Sequence, residues 1–152
     1  GRAFPWTGSW TALPPNRRCC AAPTAAAAAA QLGCDVGAIA NSLVFDAGGV
    51  PVLVMASGAR RVDLSRLSAA LEVPHVTKAT ADFVRTHTGM AIGGVAPVGH
   101  TEKPLILIDE ELSQYAEIWA SAGTPHSVFR LTPANLLRIT GGRVAALKEG
   151  LG

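Results

Sequence analysis

Charge is scarce in this chain. Asp, Glu, Lys and Arg make up only 16% of its 152 residues, and the formal net charge is +2. A protein that clamps a long duplex carries a dense basic stripe. Here the basic residues are scattered, the densest pairs being Arg17-Arg18 and Arg60-Arg61. No DNA partner is therefore expected, and any nucleic-acid contact should be small and local. Metal-ligand spacing is lacking too. The cysteines (Cys19, Cys20, Cys34) and histidines (His75, His87, His100, His126) form no short zinc motif, so no metal or cofactor is expected. An odd cysteine count fits a reducing, cytoplasmic compartment. No apolar run approaches the roughly 20 residues that cross a bilayer, and Pro5, Pro14 and Pro15 interrupt the start where a signal peptide would be continuous. No membrane partner is expected.

Apolar residues make up 49% of the sequence. That content and this length suit one domain with a real core. The first 23 residues stand apart, with four prolines, two of the three tryptophans, and neither a helical nor a strand period. Two readings stand for residues 1–23. They are a tail or linker without structural role, or a stretch that is not the native start, read in a wrong frame of GC-rich DNA. Residues 24–152 read as the single folded domain.

From Thr24 the signals become regular. Thr24 can cap a helix through the alanine run to Leu32, with Gly33 as its left-handed stop. Asp35 can cap a second short helix through Ile39. Ser42–Asp46 and Val50–Ala56 read as strands joined at Gly48-Gly49, and their apolar density predicts a sheet covered on both faces. Asp63 and Thr80 cap two further helices, the second ending at Gly89. Pro104–Asp109, Glu117–Ala120 and Ser127–Leu131 read as strands. Thr132-Pro133 opens a last helix that Gly141-Gly142 ends before a short strand near Val144. Hairpin-linked strands with short helices give an α+β class, since the strict alternation of a doubly wound sheet is missing.

The segment Gly93-Gly94-Val95-Ala96-Pro97-Val98-Gly99-His100 is the most informative stretch. Glycines there free backbone N–H groups for a ligand, and proline stiffens the loop before the ligand arrives. Such a loop can bind a phosphate or polarise a carbonyl. Its glycine spacing matches neither a dinucleotide fingerprint nor a Walker loop. On these residues alone, a plain connection is as good a reading.

A set of ordered segments goes further. These are Ala29–Cys34 (AAQLGC), Ile39–Phe45 (IANSLVF), Ser57-Gly58 through Arg61-Val62-Asp63, and Thr88-Gly89 with Ala91–His100. Asp109-Glu110, Ile118-Trp119 and Ala122–Pro125 (AGTP) follow. Together they resemble the YbaK/EbsC family of prolyl-tRNA editing domains, from about Thr24 to Leu147. The resemblance implies a mixed, mostly antiparallel, barrel-like sheet with short helices around it. It implies hydrolysis, in trans, of the ester joining a small wrong amino acid (Ala, Ser or Thr) to a transfer RNA. The partners it implies are the aminoacyl-tRNA acceptor end and an aminoacyl-tRNA synthetase.

The same resemblance assigns Gly93, Gly94, Pro97 and Gly99 to the loop around the aminoacyl carbonyl, with water and the substrate's ribose hydroxyl beside it. Ser42, Arg61, His100, Ser121, Gly123 and Thr124 are the expected substrate-binding residues. The family pattern at residues 41–43 is Lys-Ser-Leu, whereas this chain has Asn41-Ser42-Leu43. Asparagine donates a hydrogen bond but supplies no charge, so Asn41 implies reduced activity or a substitute cation from Arg60, Arg61 or Lys78. Apart from the resemblance, each residue has a plainer reading. Asn41 can bond its own backbone, His100 can be solvated, Arg61 can be a surface charge, and Gly123-Thr124-Pro125 can be a tight turn. Cys34 and Trp119 read as core, and Asp63 as a cap. Two other functions stay open: a module that binds aminoacyl-tRNA ends or a synthetase without turnover, and a small-molecule binder reusing the loop pocket.

Overall fold

The computed structural model describes residues 17–19, 24–59, 61–124 and 127–147. Arg60, Pro125, His126 and most of residues 1–23 lie outside the described residues.

The caps form where the sequence places them. Helix α1 (Ala25–Leu32) starts at Thr24, whose hydroxyl accepts from the Ala27 amide at 3.1 Å, and ends at Gly33 with φ 70°. Helix α2 (Leu64–Leu71) is capped by Asp63, which accepts from the Ser65 amide at 2.8 Å. Helix α3 (Ala81–Thr88) is capped by Thr80, and α4 (Pro133–Thr140) by Thr132 with proline in its first turn. Asp35 precedes only a 3-10 turn, Val36–Ala38, and its side chain caps nothing there.

Strands β2 (Ile39–Ala47) and β3 (Val50–Ser57) form the expected hairpin, each longer than its apolar run. Gly48 and Gly49 have φ of 64° and 95°, the double positive φ that a two-residue hairpin turn needs. Asp46 Oδ1 accepts from the Gly49 amide at 2.6 Å and closes the turn. Strands β5 (Leu105–Asp109), β6 (Ile118–Ser121), β7 (Ser127–Leu131) and β8 (Arg143–Ala145) also lie where expected. Periodicity missed three elements. They are β1 (Arg17–Cys19), β4 (Thr77–Lys78) and the 3-10 turn Glu110–Gln114. Each is too short to show a period, and β1 exists only as a partner for β7.

Among the described residues eight strands make one mixed sheet, ordered β1-β7-β6-β2-β3-β5-β8, with β4 paired to β2 off this path. Its order is that of an open sheet with β1 and β8 at the ends, not a closed barrel. Hairpins supply the antiparallel pairs β2–β3 and β6–β7. Local hairpin signals could not show that β2–β6, β3–β5 and β5–β8 run parallel. Both faces are covered, as the apolar strands predict. Leu53, Met55, Ile108, Leu112 and Leu136 pack on one face, and Val52, Val54, Leu67 and Leu107 on the other. A third cluster joins α1 to the sheet through Ala28, Ala29, Ile39 and Trp119. Trp119 is therefore core, as read, and half-buried Cys34 packs beside it. Buried Asp109 ties the layers. Its carboxylate accepts from the Ser57 amide at the end of β3 and from the Glu111 amide in the following turn, each at 3.0 Å.

Candidate active site

The site begins as a gap in the sheet. Strand β2 pairs with β3 along its whole inner edge, from Ala40 to Ala47. Its other edge is shared. The β6 ladder stops at Ala40, opposite Ala120, and the β4 ladder starts at Phe45, opposite Lys78. Between them, among the described residues, no strand covers Asn41–Val44. The Val44 carbonyl faces this edge, since it accepts from the Ala79 amide at 3.3 Å. Backbone groups alternate sides along a strand, so the N–H and C=O of Ser42 face the same edge.

A cavity of about 470 Å³ opens there, within the roughly 300–1,000 Å³ of small-ligand clefts. Asn41 and Ser42 line it from β2, Gly93 and Val95 from the glycine loop, and Ser121, Thr124 and Ser127 from the β6–β7 hairpin. Lys78 and Ala79 close the far end, and Ala25, Ala28 and Trp119 supply apolar wall. Among the described lining residues Lys78 carries the one charge, with no Asp, Glu or His beside it. The hairpin end is held by its own bonds. Thr124 Oγ1 donates to Ser127 Oγ at 3.0 Å, and the Gly123 amide donates to Ser121 Oγ at 3.3 Å. Ser42 Oγ donates to Met55 Sδ at 3.4 Å, anchoring that side chain to the core.

The loop presents its amides unequally. The Gly94 amide donates to the Ala91 carbonyl at 2.9 Å, and the Ala96 amide meets Met90 Sδ at 3.4 Å. Among the described residues no hydrogen bond engages the Gly93 amide, and Gly93, at φ 87°, is the member of the pair that lines the cavity. By the same two criteria Gly93 and Val95 are the loop amides available to a carbonyl oxygen.

The expected residues thus divide. Asn41, Ser42, Gly93, Ser121 and Thr124 meet in one cavity. Pro97, Gly99 and His100 line a second cavity, of about 220 Å³, with Lys103 and Thr140. There His100 braces the loop, with Nε2 2.6 Å from the Ala96 carbonyl oxygen. A carbonyl only accepts, so the proton is assigned to Nε2. Nδ1 is buried with no partner, and burial, the larger effect, outweighs the Ala96 bond and holds the His100 pKa below its ordinary value. Gly94, Gly123 and Arg61 line neither cavity, and Arg61 is exposed. Of the three bases proposed to stand in for a lysine at residue 41, Lys78 lines the site, Arg61 does not, and Arg60 is outside the described residues. Residue spacing missed Ser127 and the open edge of β2, because only strand pairing brings them to the cavity.

Comparison with known proteins bears on the family and the fold. The family model for the aminoacyl-tRNA editing domain matches residues 20–139. A crystal structure described as that of a candidate trans-editing enzyme for prolyl tRNA synthetase is 43% identical, with a TM-score of 0.83 over 88% of this chain and 86% of that one. A structure from work on epitope backbone grafting onto scaffold proteins by computational design is 39% identical. Its TM-score is 0.84 over 89% of this chain and 86% of its own. The uncharacterized protein YwhH of Bacillus subtilis (strain 168) is 30% identical over 108 residues, 69% of this chain and 67% of YwhH. With the family model spanning most of its length and the site built from segments that carry the resemblance, this chain belongs to the aminoacyl-tRNA editing domain family.

Proposed function

We propose that this chain is a trans-acting aminoacyl-tRNA deacylase that clears small wrong amino acids such as alanine, serine or threonine from transfer RNA in the cytoplasm. The observation that carries this reading is the meeting of Asn41, Ser42, Gly93, Ser121 and Thr124 in one cavity, from three segments distant in sequence. Its polar end is lined by the hydroxyls of Ser121, Thr124 and Ser127, which suits a short polar or small side chain. The neighbouring structure described for prolyl tRNA synthetase supports the trans-editing assignment and a synthetase partner.

In this reading the ester carbonyl lies against the Gly93 amide, which stabilises the oxyanion that develops when water adds. The tetrahedral intermediate collapses with loss of the ribose oxygen, which takes up a proton. A free amino acid and an uncharged transfer RNA result. No described lining residue is a general base, so the attacking water is oriented by the substrate's neighbouring ribose hydroxyl, and rate comes from positioning. Asn41 beside the carbonyl donates a neutral hydrogen bond where a cation would stabilise the oxyanion more, and turnover is slow as a result.

The lack of a carboxylate or histidine among the described lining residues also favours a second reading, in which the cavity holds charged ends without turnover. Release of free amino acid from a panel of mischarged transfer RNAs, by this chain and by Asn41→Lys, separates the two. Hydrolysis above buffer on any member supports the deacylase. Binding of charged transfer RNA with no hydrolysis by either protein supports the module.

A further inference from the structure

Lys78 lines the same cavity as Asn41, but from another place. It sits on β4, directly across from Phe45, four residues along β2 from Asn41. At the usual strand rise that is about 13 Å, about twice the reach of a lysine side chain. Lys78 therefore cannot bring its ammonium to the backbone of residue 41, and its charge is centred farther along β2. Its backbone is fixed there. Val76 and Ala79 on either side of β4 are buried, and the Ala79 amide donates to the Val44 carbonyl. Lys78 itself is exposed, and among the described residues no carboxylate pairs with it.

The cavity is thus polarised along β2. Asn41, Ser121, Thr124 and Ser127 make a neutral hydroxyl-and-amide end, and Lys78 makes a cationic end. A ligand that fits both is extended, with an uncharged acyl group at one end and an anion at the other. The 3′-terminal aminoacyl nucleotide has that shape, because its ribose separates the ester from the 5′-phosphate. We infer that Lys78 is a positioning residue that binds the backbone phosphate of the terminal nucleotides, holding the acyl end against Asn41 and Gly93. This rests on the deacylase reading for the identity of the ligand. A contact to the phosphate is the same in the ground and transition states, so it acts on substrate binding and leaves the chemical step alone.

The test uses the full chain, Lys78→Gln and Lys78→Arg. The probes are an acceptor-stem hairpin carrying alanine through a non-hydrolysable 3′-amide, for binding, and alanyl-tRNA, for hydrolysis. For Lys78→Gln the expected result is a Kd and KM raised about two- to fivefold, with kcat unchanged. The slope of log K against log salt should become shallower by about 0.7, the loss of one phosphate contact on a single strand. Lys78→Arg should keep the parent salt slope. An unchanged slope and Kd in Lys78→Gln would overturn the assignment. So would a fall in kcat at constant KM, which places the cation at the reacting carbonyl. If the parent binds the hairpin but hydrolyses nothing, the deacylase reading fails and the Kd series still decides for or against Lys78. If the parent neither binds nor hydrolyses, both fail.

Discussion

His100 closes the glycine loop on itself, its Nε2 lying 2.6 Å from the carbonyl oxygen of Ala96 four residues earlier. The other ring nitrogen is buried without an acceptor, so a proton added there meets no partner. The folded pKa is held below the ordinary 6.5. Below 6.5 the unfolded chain takes up a proton that the folded chain refuses, and stability falls with pH until the folded pKa is reached. Above 6.5 the contribution is complete. Melting temperature measured across this range should therefore drop more steeply for the parent than for His100→Gln. Equal slopes would remove His100 from the account.

Restoring charge beside the loop should raise the rate. Asn41 lines the cavity with Gly93, and one preorganised electrostatic donor commonly contributes on the order of 100- to 1000-fold. Asn41→Lys should increase single-turnover deacylation by up to that factor, with little change in Kd for the amide-linked hairpin. A tighter Kd at an unchanged rate would mean that residue 41 serves binding instead.

Gly93 tests the loop by its backbone. A Cβ built there meets nothing within 4 Å, yet φ is 87°, so the cost of Gly93→Ala is conformational, about 1–2 kcal/mol. Either the strain is kept, lowering Tm by a few degrees, or the loop shifts and the amide leaves the carbonyl. We expect kcat/KM to fall at least about tenfold, against a small change in Tm. Parent activity at an unchanged Tm, the sign that the loop has shifted, would exclude its amide as the oxyanion donor.

Asp109 governs stability away from the cavity. Its side chain answers the amides of Ser57 and Glu111 from a fully buried position. Asp109→Ala removes both acceptors and should cost about 3 kcal/mol in urea unfolding. A loss below about 1 kcal/mol would show that water replaces the carboxylate.

The amino-acid sequence by itself determined the local elements. Thr24, Asp63, Thr80 and Thr132 start helices by accepting from their own first-turn amides, Gly33, Gly89 and Gly141 end them in the left-handed region, and Gly48-Gly49 sets the β2–β3 hairpin. These signals act within a few residues, so they are legible without a fold. Family membership was legible too, because ordered segments from Ala29 to Pro125 carry it, and the family model over residues 20–139 agrees. Tertiary structure alone decided how the site is shared out. The family resemblance implies one ligand loop, yet Gly93 faces one cavity while Pro97, Gly99 and His100 face another. Three cations competed for one role, and strand pairing placed Lys78 in the cavity, displaced from Asn41 along β2. The gap over Asn41–Val44 exists because β6 stops and β4 starts on the same edge. Pairing between segments far apart in sequence leaves no local period, and so only the folded chain could show it.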